Sequence, residues 1–204
     1  MNCLQVCFIF ALQILPMQLS EQELIRREKL AQLQELGIDP FPAPLFPVNT
    51  TAAYIKENYK GEENKGDFTG VCLAGRIMSI RDMGKASFAV LQDSTARIQI
   101  YVRRDDICPG EDKTLYDKLW KHLTDMGDIY GIRGFVFTTK TGETSIHVEE
   151  LTLLTKALKP LPVVKEAEGQ TFDAVTDPEF KYRQRYADMV INTDVRNTFI
   201  KRTK

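Results

Sequence analysis

The sequence predicts a mainly β protein, a five-stranded barrel with helices before and after it in the chain. Between residues 67 and 158, five segments alternate apolar and polar residues with the period of two that half-buried strands show. One segment with helical spacing follows the third of them. The composition, 43% hydrophobic and 27% charged residues, is that of a globular domain with a packed core.

Residues 1–18 are interpreted as an N-terminal extension outside the folded part. The apolar run from Cys7 to Leu15 is much shorter than the ~20 residues that cross a bilayer. No Lys or Arg precedes it and no small-residue cleavage site follows it, so it is a poor signal peptide. We therefore expect Met17 to be the initiator and no membrane association, with a targeting segment as the alternative.

Residues 19–66 are predicted to form a helix and an extended segment. Ser20 and Glu23 make a capping box and Gly37 is a stop signal, which predicts a helix from Glu21 to Leu36. Four prolines within residues 40–47, here called the strap, exclude regular structure. A short helix over residues 51–58 and a loop over residues 60–66 should follow. The first helix has an expected apolar side of Leu24, Ile25, Leu30, Leu33 and Leu36.

The expected outward side of this helix carries three cations, Arg26, Arg27 and Lys29. Such a row is either a solvated face or a contact with a phosphate backbone. The residues alone favour the solvated face.

The barrel domain is assigned to residues 67–158. Turn signals such as Met83-Gly84-Lys85 and Lys140-Thr141-Gly142 separate its strands, and a helix from Glu111 to Met126 follows the third strand. Three strands, a helix and two strands is the order of an OB-fold, whose open sheet face binds oligonucleotides; an SH3-like barrel fits the pattern too. The predicted strands are Thr69 to Ile80, Ser87 to Gln92, Ala96 to Arg103, Ile129 to Thr138 and Thr144 to Leu154.

Residues 159–204 are predicted to be a linker and the start of a further domain. Pro160 and Pro162 indicate the linker, and Asp177-Pro178 opens a helix. Rings and guanidinium groups are dense from Tyr182 to Tyr186, and Val195 to Lys204 carries no stop signal. We therefore expect the chain to be the first part of a longer protein.

Charge and cysteine content exclude several classes of function. The formal net charge is −1, so nucleic-acid binding must come from a local face. The four cysteines form no CxxC pair, which argues against structural zinc and for a reducing compartment, the cytoplasm. Gly84-Lys85 lacks the remainder of a phosphate-binding loop, and no nucleophile stands near a base. His122 and His147 are interpreted as isolated.

A face for unpaired bases needs a ring for stacking, an amide or acid that reads base edges, and cations. Strand alternation brings Phe88 near Arg81, Gln99, Tyr101 and Arg103 on the expected open sheet. Phe88 as a core residue is the alternative. Gln99 lies between two isoleucines and so faces away from the core. Glu143 lies in the last turn, where a carboxylate near phosphates is unusual unless it accepts hydrogen bonds from a base.

A series of short motifs closely resembles the anticodon-binding domain of bacterial-type, class II lysyl-tRNA synthetases. The resemblance covers residues 19–204, and the many strings in the family's order and spacing make it specific. The motifs are Ala74-Gly75-Arg76, MGKASF (83–88), LQD (91–93), RIQIYV (97–102), RDD (104–106), GDI (127–129), TKTGE (139–143), LLTKALKPLP (153–162) and YRQRY (182–186).

The resemblance implies that Phe88 stacks on the central uridine of the tRNA-Lys anticodon, that Arg81 and Gln99 hydrogen-bond this base, and that Glu143 contacts an adjacent base. It also implies that the charges of Arg26, Arg27 and Lys29 lie near the tRNA. The complete family enzyme uses ATP and magnesium and is a homodimer. The 204 residues are expected to bind tRNA without a cofactor and without catalytic residues, since the family's catalytic motifs are missing.

Three alternatives remain open. The first is an aspartyl- or asparaginyl-tRNA synthetase domain, against which MGKASF and TKALKPLP argue. The second is a stand-alone protein that binds single-stranded nucleic acid or tRNA. The third is a purely structural barrel, which the ring, amide and cations in one place disfavour.

Overall fold

A computed structural model of the chain describes residues 19–161, 165–167, 170–172 and 178–204. The interpretation of residues 1–18 and the predicted roles of Pro162 and Asp177 lie outside the described residues. The helices are α1 (Glu21–Glu35), α2 (Ala52–Asn58), α3 (Arg104–Ile107), α4 (Pro178–Arg183), α5 (Arg185–Ile191) and α6 (Thr193–Thr203). The strands are β1 (Val71–Asp82), β2 (Ala86–Gln92), β3 (Arg97–Arg103), β4 (Ile129–Thr138), β5 (Thr144–Thr155), β6 (Lys165–Ala167) and β7 (Gln170–Phe172).

Strands β1 to β5 close into a barrel in the order β1-β2-β3-β5-β4. Neighbours pair antiparallel except β3 and β5, which run parallel and close the barrel. The five predicted strands are confirmed, with ends that differ by at most two residues. The alternating apolar residues line the interior, among them Leu73, Ile77, Leu91, Ile98, Ile100, Val102, Ile132, Val136, Ile146 and Val148.

The segment between β3 and β4 differs from its prediction. A helix was expected from Glu111 to Met126, whereas a π-helix runs over Leu115–Leu123 and the short helix α3 precedes it. Trp120 and Tyr116 of the π-helix are buried in the core. The Tyr116 hydroxyl also donates to the carbonyl of Gly84 over 3.1 Å. The π-helix thereby packs its apolar side onto the barrel and holds the β1-β2 turn.

Helix α1 begins as predicted, because the Ser20 hydroxyl accepts from the Glu23 amide and the Glu23 carboxylate accepts from the Ser20 amide. Leu33 is fully buried in the core cluster. The predicted apolar side is wrong in part, since Leu24 and Ile25 are exposed. Docking of α1 depends on polar contacts that the apolar pattern did not reveal.

The strap residues lie along the barrel. A Cβ atom on Gly131 would stand 2.6 Å from the Phe46 ring, so the glycine makes room for this ring. The Pro40 carbonyl accepts from the Lys156 amide over 3.1 Å, just beyond β5. Helix α2 follows with Thr51 as its N-cap, close to the prediction. The predicted loop over residues 60–66 instead contains the 3-10 helices Gly61–Glu63 and Lys65–Phe68.

Candidate nucleic-acid interface

The strand register places Arg81, Phe88 and Tyr101 side by side across three strands. Arg81 pairs with Phe88 between β1 and β2, and Phe88 pairs with Tyr101 between β2 and β3. The neighbours of Phe88 in the chain, Ser87 and Ala89, are buried, whereas the Phe88 ring is only partly buried. The structure thus excludes the alternative that Phe88 is a core residue.

Further rings continue this row across β5 and β4. Tyr101 lies 4.9 Å from Phe88 and 5.2 Å from His147, measured between ring centroids. Phe135 stacks on the His147 imidazole at 4.8 Å with 16° between the planes, and Phe137 completes the group. We call Phe88, Tyr101, His147, Phe135 and Phe137 the ring row. All five rings are partly buried, so each keeps a surface toward solvent.

Sequence reasoning missed three members of the ring row. His147 was interpreted as isolated, which is wrong, because its Nε2 donates to the Asp106 carboxylate over 2.7 Å and its ring contacts three others. Phe135 and Phe137 flank the buried Val136, so strand alternation already indicated their outward direction. The contact of Phe137 with Tyr101, and that of Phe135 with His147, depend on how β3, β5 and β4 pair, which the local pattern does not contain.

Gln99 lies beside the ring row and is held at both ends of its amide. Its Nε2 donates to the Glu143 carboxylate over 3.0 Å, and its Oε1 accepts from the Ser145 hydroxyl over 2.8 Å. Gln99 and Ser145 are register partners across β3 and β5. The predicted residues Gln99 and Glu143 are therefore brought into direct contact, and Ser145, which sequence reasoning did not identify, holds the other end of the amide.

The turn between β4 and β5 positions Glu143. The Glu143 amide donates to the Thr139 hydroxyl over 3.0 Å, and the Thr139 amide donates to the Glu143 carbonyl over 2.9 Å. Gly142 adopts φ +85°, a left-handed conformation that glycine accepts without a Cβ penalty. The carboxylate thus projects from a defined turn.

Three exposed cations surround the end of the β1-β2 hairpin, Arg81, Lys85 and Arg103. Asp82 lies among them, and the pKa of its carboxyl is lowered, chiefly by the hydrogen bond from the Gly84 amide and further by Lys121 at 3.3 Å. Lys121 pairs with this acid, and Arg103 lies 3.8 Å from the Asp106 carboxylate, so Arg81 and Lys85 are the cations best placed to meet a phosphate backbone. A local cationic face can operate despite a net charge of −1.

The cations of α1 do not form the expected outward row. Arg26 is 6% exposed, and its guanidinium donates to the carbonyls of Ala157 over 2.9 Å and of Met126 over 2.8 Å. The prediction that Arg26 lies outward is wrong, because this buried guanidinium satisfies backbone carbonyls beside the barrel. Lys29 makes an ion pair with Asp125 at 2.6 Å and is mostly covered, whereas Arg27 is exposed.

Within the described ranges, no group of His, Cys, Asp or Glu side chains is arranged to hold a metal ion. None of the helices in the same part of the chain combines the length and apolar character that a membrane crossing requires. The arrangement offers ring stacking, an oriented amide, and cations, which is the chemistry of binding to unpaired bases.

Comparison with known proteins agrees with this class of site. Residues 71–154 match the family model described as an OB-fold nucleic acid binding domain. The barrel and the match together define an OB-fold nucleic acid binding domain, and the SH3-like alternative is excluded.

The chain is homologous to the lysine-tRNA ligases, as the sequence resemblance predicted. It is 56% identical over 187 residues to the lysine-tRNA ligase of Porphyromonas gingivalis strain W83, a match that covers 92% of this chain and 32% of that protein. The corresponding protein of Christiangramia forsetii is 54% identical over 188 residues, 92% of this chain and 32% of the relative. The lysine-tRNA ligase of Azobacteroides pseudotrichonymphae is 48% identical over 186 residues, which cover 91% of this chain and 37% of that relative. The chain spans about a third of the length of these relatives.

Proposed function

We propose that the ring row and Gln99 recognise the anticodon loop of tRNA-Lys, and that the chain serves as the anticodon-binding part of a lysine-tRNA ligase. The observation that supports this most is the position of Phe88. Its partly exposed ring lies between the exposed cation Arg81 and the ring of Tyr101, on the open face of the barrel. An anticodon loop presents unpaired bases and a phosphate backbone, and both have partners here.

Stacking on Phe88 supplies affinity, and the polar neighbours supply selectivity. A base stacked on an aromatic ring contributes about 1–3 kcal/mol, whatever its identity. Uracil presents carbonyl acceptors and the N3–H donor on its edge. The Gln99 amide still has one N–H and one oxygen lone pair beyond its bonds to Glu143 and Ser145, so it can pair with both kinds of group. Arg81 adds donors beside the same ring.

The proposal for the whole protein rests on the name that its relatives carry, lysine-tRNA ligase. The whole protein would attach lysine to tRNA with ATP and magnesium, act in the cytoplasm, and function as a homodimer. The chain contributes binding of the tRNA, for which stacking and hydrogen bonds suffice without a cofactor. Of the α1 cations, the exposed Arg27 is the one best placed to approach a tRNA backbone.

The test is a titration of the chain against a tRNA-Lys anticodon stem-loop and against the same loop with cytidine at the central position. Salt is held at one moderate concentration, because charge alone produces binding at low salt. We expect tighter binding of the uridine loop. Phe88→Ala should weaken binding of the uridine loop by about 5- to 150-fold, the equivalent of one lost stack.

Tyr54→Ala is the matched control for the loss of an exposed ring. Tyr54 is 55% exposed on α2, whose amides contact Asp93 and Thr95 at the opposite end of β2 from Ala86. This variant should bind both loops like the parent chain. Equal loss of affinity in the two variants, or no effect of Phe88→Ala, would contradict the assignment of the site.

A second candidate is unselective binding of single-stranded nucleic acid. The length of the ring row favours it, since five contiguous rings offer more surface than one base needs. Equal affinity for the uridine and cytidine loops, with loss of both on Phe88→Ala, would support this candidate over anticodon reading.

A further inference from the structure

We propose that Glu143 is a positioning residue that sets selectivity for the central base through Gln99. This inference rests on the proposed function and deepens it. The family resemblance assigns Glu143 to an adjacent anticodon base. In the structure its carboxylate accepts a hydrogen bond from the amide of Gln99, the residue proposed above to pair with the central base.

Both ends of the Gln99 amide have a partner, but the two partners differ in what they permit. The ionised carboxylate of Glu143 only accepts hydrogen bonds, so the end of the amide that faces it must be the Nε2 donor. The Ser145 hydroxyl can donate or accept, so it fits either orientation of the amide. A reversed amide would bring two acceptor oxygens within about the same 3.0 Å that now separates Nε2 from the carboxylate. Glu143 therefore determines the orientation, and Ser145 adapts to it.

The contacts are built into the framework before any ligand arrives. Glu143 is held by the turn through Thr139, and Ser145 is fully buried in the barrel wall opposite Gln99. Gln99 extends from the middle of β3, between the buried Ile98 and Ile100. The amide consequently presents a fixed donor and a fixed acceptor next to the ring row.

A fixed amide distinguishes uracil from cytosine when stacking fixes the base. On the edge where uracil has a carbonyl acceptor and the N3–H donor, cytosine has an amino donor and the N3 acceptor. If the base is held on Phe88, an oriented amide matches one of these patterns and opposes the other. An amide free to turn over matches both, and the discrimination is lost.

The experiment compares the parent chain with Glu143→Gln, which keeps the size and hydrogen-bonding capacity of the side chain but accepts either amide orientation. The measured quantity is the ratio of dissociation constants for the cytidine and uridine stem-loops. We expect Glu143→Gln to lower this ratio about three- to tenfold, the range that one hydrogen bond supplies, mainly through tighter binding of the cytidine loop. The lost negative charge strengthens binding of both loops alike and cancels in the ratio.

Glu150→Gln is the control for charge, because Glu150 lies on β5, the strand that follows the turn of Glu143, and pairs with Arg133 away from Gln99. It should leave the ratio unchanged. A second control uses the Gln99→Ala background, in which Glu143→Gln should no longer change the ratio because its effect passes through the amide. A thermal unfolding curve for each variant verifies that the exposed turn residue leaves the fold intact.

A third stem-loop, with an adjacent anticodon base replaced, separates the two roles of Glu143. If Glu143→Gln preserves the ratio at the central position, or alters only the preference at the adjacent position, the positioning role is overturned and anticodon reading stands. If the parent chain itself shows no preference for uridine, the proposed function fails first and this inference fails with it.

Discussion

Replacing Arg26 by alanine tests whether this cation holds α1 to the barrel. Its guanidinium donates to the carbonyl of Met126, which precedes β4, and to the carbonyl of Ala157, which follows β5. A third contact, to the carbonyl of Lys159, is long at 3.4 Å and counts for little. One side chain thus joins three segments that are distant in the sequence.

The magnitude follows from the two short contacts. Hydrogen bonds to a charged group contribute about 1.5–3 kcal/mol each, so the pair represents about 3–6 kcal/mol. Truncation lets water reach part of the released carbonyls and removes the cost of burying the guanidinium. We therefore expect Arg26→Ala to lower the free energy of unfolding by about 2–4 kcal/mol.

Urea denaturation followed by circular dichroism gives this quantity, with Arg27→Ala as the matched control. Arg27 is the neighbouring cation and is exposed, so its removal should change the free energy of unfolding by less than about 0.5 kcal/mol. The two variants carry the same net charge, which removes general electrostatics from the comparison. Equal stability of the two variants, with a weaker tRNA affinity only in Arg26→Ala, would refute the structural role and restore the expected outward one.

Three further predictions concern the barrel. Lys156→Met should destabilise the chain by about 3–5 kcal/mol because it leaves the fully buried carboxylate of Asp128 without its cation at 2.8 Å, and Lys156→Met with Asp128→Asn should recover part of the loss in the same urea assay. Gly134→Ala should destabilise by at least about 1–3 kcal/mol, since its Cβ would lie 1.8 Å from a backbone carbonyl oxygen of β5, whereas Gly110→Ala meets nothing within 4 Å and should be neutral by thermal melting. Burial raises the pKa of Asp93, but hydrogen bonds from backbone amides and a hydroxyl outweigh it, so its pKa is lowered. Because its pKa is lowered, ionised Asp93 stabilises the fold at pH values above the unfolded pKa of about 3.9, and this contribution is lost as the pH falls through the lower folded pKa. The stability advantage of the parent chain over Asp93→Asn should therefore shrink when unfolding is measured at falling pH. A constant advantage would contradict this.

Local sequence pattern predicted the secondary structure of the barrel because alternation and turn chemistry are properties of neighbouring residues. Gln99 was identified as outward-facing because it lies between two isoleucines of the core, whereas for Phe88 a core position was left open as the alternative until the structure showed a partly exposed residue. The capping box predicted the start of α1 for the same reason, since its hydrogen bonds join residues three apart.

The contacts that sequence reasoning missed join residues far apart in the chain. His147 meets Asp106 across 41 positions, and Gln99 meets Ser145 across 46. Both depend on the parallel pairing of β3 with β5, which closes the barrel. No local pattern specifies which distant strand completes a sheet or in which register.

Arg26 shows the same limit for charge. A cation between exposed residues of an amphipathic helix is ordinarily solvated. The sequence of α1 gave no local indication that the carbonyls of Met126 and Ala157 would accept hydrogen bonds from Arg26. The sequence by itself determined the strands, their order along the chain, the outward amide of Gln99, and the relation to lysine-tRNA ligases. Only the tertiary structure decided which distant groups contact these side chains. The reason is that barrel closure and buried hydrogen bonds depend on the register between strands, not on the order of residues within a single strand.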